Sequence, residues 1–300
     1  MNTSKVTPIK SGEYKLLLQG FSEWLTILNY SSYSLPGLSG SVQIFLKYQE
    51  ENNKSSLQQL TAADANSFIA ALQTRTGTRT NKPFTGGYLN KQVQALKLFS
   101  RYIRETGRSS IGFTLQRLEE QKSKPVWLTK EEIQKLYDVI KDDILGIRDK
   151  AMLAVFYGCG LRLNEGASLE LKDIDTTRKV LHVRKGKDYT ERFVPIAQKN
   201  FEEIKLYVDY GRPQLMQGIK HENIFTDANK GRAMHKQSLY LRIKKLVKKA
   251  EIKKKAGTHT LRHSIATHLL QSGMKLEKIQ QFLGHACLDN TQIYTHLKNE

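Results

Sequence analysis

Apolar residues recur at helical spacing through the first hundred positions. Leu17, Phe21, Trp24, Leu25 and Leu28 fall three or four apart, which predicts a helix over residues 13–28. Pro36 opens a second pattern that carries Val42, Phe45, Leu46 and Tyr48 and runs to residue 51. Thr61 stands as the N-cap of a third, with Ala65, Phe68, Ile69 and Leu72 along it. Leu89, Val93, Leu96, Phe99 and Ile103 define a fourth over residues 88–105. Residues 74–87, TRTGTRTNKPFTGG, break the pattern as a basic Gly/Thr loop. Residues 1–12 lack any such period and are expected to be disordered. Residues 119–126, EEQKSKPV, are charged and contain a proline, as an interdomain linker would. The pattern therefore sets off a small helical domain, residues 13–118, from a second domain, residues 127–300.

The second domain mixes periods. Thr129 is a helix N-cap, with Glu131 and Glu132 in the first turn, where the helix dipole favours carboxylates. A helix over residues 147–157 ends near Gly158 and Gly160. Val180, Leu181 and Val183, then residues 192–196 (RFVPI), switch to strand character around the turn Lys185-Gly186-Lys187-Asp188-Tyr189, a β-hairpin. Residues 200–217 are helical, and Phe225 lies in a short apolar segment, NIFTD. Residues 242–255, RIKKLVKKAEIKKK, hold eight basic residues and one acidic, with Leu241, Leu246, Val247, Ala250 and Ile252 as the packing side of an amphipathic helix. A helix starting at His259 is stopped by Gly273, and residues 275–283 form another, stopped by Gly284. Asp289 can cap a last short helix that carries Tyr294. The expected fold class is mainly α with a small antiparallel β-sheet, α+β.

Charge narrows the partner. The chain of 300 residues carries a formal net charge of +19. Residues 1–122 hold 15 Lys/Arg against 8 Asp/Glu, and residues 123–300 hold 33 against 21. Both halves being basic fits two domains gripping one polyanion, although charge alone also describes a merely soluble basic surface. In the first half Arg75, Arg79, Lys82, Lys91, Lys97, Arg101 and Arg104 could meet a DNA groove or form a solvated face. In the second, Lys187 at the hairpin tip and Arg242, Lys244, Lys245 and Lys248 on the basic helix suit a phosphate backbone. A membrane-surface reading of that helix is weaker, because its apolar residues are few and none is aromatic. No apolar run reaches membrane-spanning length and no signal-peptide core is present, so no membrane partner is expected and a cytoplasmic, nucleoid-associated protein is. The only cysteines, Cys159 and Cys287, do not make a disulfide framework.

Candidate chemistry gathers in the last fifth of the chain. His259 and Arg262 lie three apart and share a helix face. His285 follows Gly284, and Tyr294 comes soon after. A tyrosine, an arginine and two histidines in so short a span suggest work on a phosphate. Upstream, Arg162 follows a glycine turn between apolar helices, poorly placed for pure surface. Glu165 either holds that loop by hydrogen bonds or is an ordinary helix-surface glutamate. His263, His268 and His296 add to the histidine count, but there is no HExxH, no CxxC and no carboxylate at ligand spacing, so no metal site is expected. Without GxSxG, a serine nucleophile is not indicated either.

The set Arg162, Lys185, His259-x-x-Arg262, His285 and Tyr294 resembles the tyrosine recombinases, the phage-integrase and Xer-like family. GLRLNE, HTLRHSIATHLL, LGH and IYTH match its signature boxes in order and at suitable spacing. The resemblance implies a SAM-like helical core-binding domain and a catalytic domain closing as a C-shaped clamp on DNA. It implies that Tyr294 attacks the scissile phosphate to form a 3′-phosphotyrosyl bond and release a 5′-hydroxyl. A phenol with a pKa near ~10 needs a base, and His259 is the one implied. Arg162 and Arg262 would clamp the non-bridging oxygens without a metal, and His285 would add a hydrogen bond. Lys185 would protonate the leaving oxygen. The turn departs from the compact GKGxKxR form, so Lys187 is the alternative acid. No cofactor is implied, and the partner is double-stranded DNA with paired inverted-repeat half-sites, bound by a homotetramer on two duplexes, with room for an accessory protein. Only six residues follow Tyr294, so protomer contacts are expected to use other surfaces, and with no arm-binding domain before the helical one a simple recombinase without accessory arm sites is expected. The product could be integration, excision, inversion or resolution. A type IB topoisomerase-like nickase, a DNA-binding regulator with idle chemistry and a phosphate-binding structural protein remain as other readings.

Overall fold

The computed structural model describes residues 8–77, 81–119, 125–184 and 191–284. The chain divides into two compact units, Met1–Lys122 and Ser123–Glu300. Among the described residues no helix is long and apolar enough to cross a membrane.

In the first unit the four expected helices form: α1 (Gly12–Ile27), α2 (Leu35–Glu51), α3 (Ala62–Thr74) and α4 (Gly86–Glu105). Their starts are chemically defined. The Ser11 hydroxyl accepts from the Tyr14 N–H at 3.2 Å, Pro36 sits in the first turn of α2, and Asp64 accepts from the Thr61 N–H at 2.7 Å. The apolar stripes meet in an aromatic core. Phe21 lies edge-on to Phe99 with centroids 5.6 Å apart, and Phe45 contacts both Phe68 and Phe113. Phe113 belongs to a strap after α4 that is tied back by its N–H to the Ser100 hydroxyl at 2.8 Å.

Disorder was expected over residues 1–12, and the described part of that stretch does not obey it. Ile9 is buried, and the Lys10 and Ser11 N–H groups both donate to the Glu50 carboxylate, at 2.9 and 2.6 Å. The anchoring group lies on α2, about forty residues away, so local periodicity could not reveal it.

The second unit opens with α5 (Lys130–Asp138), where Thr129 and Glu132 cap each other: the Thr129 N–H donates to the carboxylate at 2.8 Å and its hydroxyl accepts from the Glu132 N–H at 3.2 Å. The next helix, α6 (Ile144–Leu153), begins three residues before the expected start, because Asp143 accepts from the Gly146 N–H at 2.7 Å. It continues as a π-helical turn, Ala154–Gly158, in which the Cys159 N–H reaches back five residues to the Ala154 carbonyl. A short α7 (Leu163–Ala167) follows.

Three antiparallel strands come next, in the order β1 (Ile174–Asp175), β2 (Val180–Val183) and β3 (Arg192–Pro195), with Val183 opposite Arg192 and Leu181 opposite Val194. Leu181, Val183 and Val194 face the core, and so does Arg192. The expected helix at 200–217 is α8 (Gln198–Leu206), a π-helical turn Tyr207–Gly211 and α9 (Arg212–Leu215).

The basic helix differs from expectation. It is α10 (Lys236–Lys249), started by His235, whose ring nitrogen accepts from the Gln237 N–H at 3.2 Å. Lys253, Lys254 and Lys255 lie beyond its end. Its packing side is Leu239, Ile243, Leu246 and Val247, while Leu241 is exposed. Starting the helix six residues early rotates no residue, but it reveals which apolar positions are three and four apart.

The last described elements are α11 (Thr258–Gln271) and α12 (Leu276–Leu283), which pack on each other through Ala266, Leu270, Ile279 and Leu283.

Candidate active site

Arg162 and Arg262 are a hundred residues apart in sequence and meet at the C-terminus of α12. The turn before α7 uses Gly160 at φ +61°, where a Cβ would also come within 2.9 Å of Leu283 Cδ2. That turn delivers Arg162 as the residue before α7. Its Nη1 donates to the Leu283 carbonyl at 3.4 Å and its Nη2 to the Gly284 carbonyl at 3.1 Å. Arg262, from the first turns of α11, is buried. Its Nη1 donates to the Gly160 carbonyl and its Nη2 to the Leu283 carbonyl, both at 2.6 Å. A helix C-terminus leaves carbonyls without intrahelical partners and carries partial negative charge, so guanidinium groups are stable there. Gly284 ends α12 at φ +65°, a conformation that favours glycine.

Beneath the two arginines lies Glu165, its side chain 2% exposed, which removes the helix-surface reading. It accepts from the Arg162 backbone N–H at 2.8 Å and from Arg162 Nη1 at 2.9 Å, and lies 3.8 Å from Arg262 Nη1. It also takes a two-pronged contact from Arg192, Nη1 to Oε1 at 3.0 Å and Nη2 to Oε2 at 2.9 Å. Burial by itself would raise the carboxyl pKa. The hydrogen bonds and charge of Arg192, then the contacts from Arg162, outweigh it and hold the group down at about 2.

His259 sits on the second residue of α11, with an edge open to solvent. Its pKa lies below the ordinary histidine value, because the packing around the ring withholds water and Arg262 and Arg162 repel a second positive charge. The low pKa leaves a neutral imidazole able to take a proton. His263 is shifted the same way, by burial and then by His259 and Arg262.

Arg192 was missed as a site residue. The signal was available: in RFVPI, positions 192, 194 and 196 share one face of the strand, and two of them are aliphatic. An arginine on the core-facing parity demands a buried anion.

Lys185, Lys187, His285 and Tyr294 lie outside the described residues, as does Arg79. Of the other proposed DNA contacts, Arg75, Lys82, Lys91, Lys97, Arg101, Lys245 and Lys248 are exposed and Lys244 is half-buried. Arg75 lies over the Tyr48 ring, and Arg101 lies over Trp24 while donating to Glu105 at 2.6 Å. Arg242 has a protein partner that the sequence did not show. Its Nε donates to both oxygens of buried Asp149, at 2.8 and 2.9 Å, and Nη2 completes the fork. Its charge joins α10 to α6.

No group of three or more His, Cys, Asp or Glu among the described residues could hold a metal ion. His268 is structural: its Nδ1 pairs with the Tyr157 hydroxyl at 2.9 Å, and its ring packs edge-on against Trp127 and Tyr157. Cys159 is fully buried, which pushes its thiol up to about 12 and makes it unreactive.

A helical unit is followed by a mixed unit whose arginines converge on one glycine-ended helix, and comparison with known proteins gives this arrangement a family. The phage integrase family matches residues 126–300. Tyrosine recombinase XerD of Proteus mirabilis is 33% identical over 293 residues, covering 96% of this chain and 82% of the relative. Tyrosine recombinase XerC of Oceanobacillus iheyensis is 31% identical over 297 residues, covering 96% and 93%. Among solved structures, XerA recombinase aligns with a TM-score of 0.52 at 26% identity, over 95% of this chain and 94% of that one. The Tn1549 transposon integrase in complex with a circular intermediate DNA shares the fold, with a TM-score of 0.75 at 18% identity over 93% and 94%. The chain belongs to the phage integrase family of tyrosine recombinases, enzymes that break and rejoin DNA at specific sites.

Proposed function

We propose that this recombinase cuts each DNA strand by attack of the Tyr294 hydroxyl on the scissile phosphorus. A 3′-phosphotyrosyl bond forms, the P–O5′ bond breaks and a 5′-hydroxyl leaves. The phenol proton passes to neutral His259, and Lys185, or Lys187 in its place, supplies a proton to the leaving oxygen. Arg162 and Arg262 hold the non-bridging oxygens as charge grows in the transition state, and His285 adds a hydrogen bond. The phosphotyrosyl bond keeps the energy of the phosphodiester, so religation is the same step reversed. Residues 13–118 act as the core-binding domain and residues 127–300 as the catalytic domain. The exposed basic residues of both grip double-stranded DNA, and four protomers join two duplexes at inverted-repeat half-sites in the cytoplasm.

The observation that carries this reading is the shared Leu283 carbonyl. Arg162 and Arg262 both donate to it, which sets two guanidiniums side by side two residues before His285 in the chain. The test is covalent trapping on nicked duplexes selected from a randomised library. Wild type is expected to leave a protease-sensitive, slowly migrating band on a denaturing gel. Tyr294→Phe is expected to bind the same DNA without leaving one. A Tyr294→Phe protein that still forms the adduct, or that loses binding to the same extent, refutes the nucleophile.

A further inference from the structure

Arg192 sits where three parts of the site come together. Its Nη1 and Nη2 hold both oxygens of Glu165, and its Nε donates to the Phe282 carbonyl at 3.0 Å. Phe282, Leu283 and Gly284 thus give successive carbonyls to three guanidiniums, from Arg192, from Arg262 and Arg162, and from Arg162. The packing leaves no slack. A Cβ on Gly284 would stand 2.8 Å from Arg192 Cδ. Arg192 is also the first residue of β3, opposite Val183, so it fixes the strand on the return side of the hairpin.

We infer that Arg192 is a positioning residue for strand cleavage: it neutralises Glu165 and fastens the end of α12, so that Arg162 and Arg262 stay aimed at the phosphate. The role rests on the recombinase reading above. Charge makes the argument specific. Glu165 is one carboxylate among three guanidiniums, and Arg192 occupies both of its oxygens from the core side. Without Arg192 the carboxylate, being buried, has only Arg162 and Arg262 with which to pair. Those arginines would then be drawn down onto Glu165. The Phe282 carbonyl would lose the Arg192 donor, and the end of α12, which leads into His285, would lose one of the four hydrogen bonds it takes from these arginines. Arg192 itself is 8% exposed, and its guanidinium is engaged with Glu165 and the end of α12.

The test measures DNA affinity and covalent-adduct rate on one trapped duplex for wild type, Arg192→Met, Arg192→Lys and the double variant Arg192→Met/Glu165→Gln. The adduct rate of Arg192→Met is expected to fall by about 100-fold, the scale of a misplaced catalytic group, with affinity nearly unchanged. Removing the stranded charge in the double variant is expected to recover at least about tenfold of that loss, the size of a direct coupling between touching groups. Arg192→Lys keeps the charge but not the fork and should fall between wild type and Arg192→Met, which preserves the test if the methionine variant folds poorly. An Arg192→Met or Arg192→Lys rate equal to wild type overturns the role. So does a loss of affinity matching the loss of rate, or a double variant no faster than the single one. A wild-type protein that forms no adduct on any selected duplex overturns the recombinase reading, and this role with it.

Discussion

Asp149 should matter strongly for the stability of the second unit. It is 1% exposed and lies between two arginines. Arg242 of α10 forks onto it, and Arg148, also buried, places Nη2 3.9 Å from Oδ1. Arg148 donates to the Thr226 carbonyl at 3.1 Å, and burial pulls its pKa down while Asp149 opposes that shift. Asp149→Ala therefore leaves a buried cation uncompensated, and the expected destabilisation is about 4 kcal/mol, within the range for breaking a buried pair. Arg242→Ala leaves Asp149 its neighbour Arg148. Arg242 is already 24% exposed at its side chain, so its own desolvation is incomplete and the expected loss is about 2 kcal/mol. The chain has two tryptophans, Trp24 in the first unit and Trp127 in the second. Urea unfolding followed by fluorescence in a Trp24→Phe background thus reports on the second unit alone. The reasoning fails if Asp149→Ala unfolds at the wild-type midpoint, or if Arg242→Ala is the more damaging of the two. It also fails if Arg242→Ala keeps its stability and instead loses DNA affinity, which would return that arginine to the groove.

Two further expectations use the same protein. If His259 takes the phenol proton as proposed, it must be neutral, and its pKa is displaced below 6.5, so lowering the pH should not slow adduct formation until it passes below that value; an acid limb centred above pH 6.5 in a single-turnover profile would contradict the base assignment. Lys245→Gln and Lys248→Gln each remove an exposed cation from α10, and each should reduce the slope of log affinity against log salt by about 0.9 if it meets a phosphate; an unchanged slope in both would take α10 off the DNA.

Short-range chemistry was legible in the residues themselves. The apolar stripes of α1 to α4, the Thr129–Glu132 cap and the glycine end of α12 depend on groups within a few positions of one another, and each formed where the pattern put it. The signature boxes around Arg162 and Arg262 were legible through their resemblance to the family's motifs. Glu165 stood open between two readings, because whether a helical carboxylate faces water depends on what packs over it, and here that is β3 from 27 residues away. Arg242 read as one more cation of a basic run; only the packing of α10 on α6 set Asp149, 93 residues away in sequence, within reach of it. The order in residues 8–11 likewise came from Glu50 on another helix. Side-chain types and periods along one chain determine which elements form and which groups can bind a phosphate. The tertiary structure decides which distant charges meet, because in a low-dielectric interior a charge is stable only beside its opposite, and the forked partners of Glu165 and Asp149 came from segments 27 and 93 residues away.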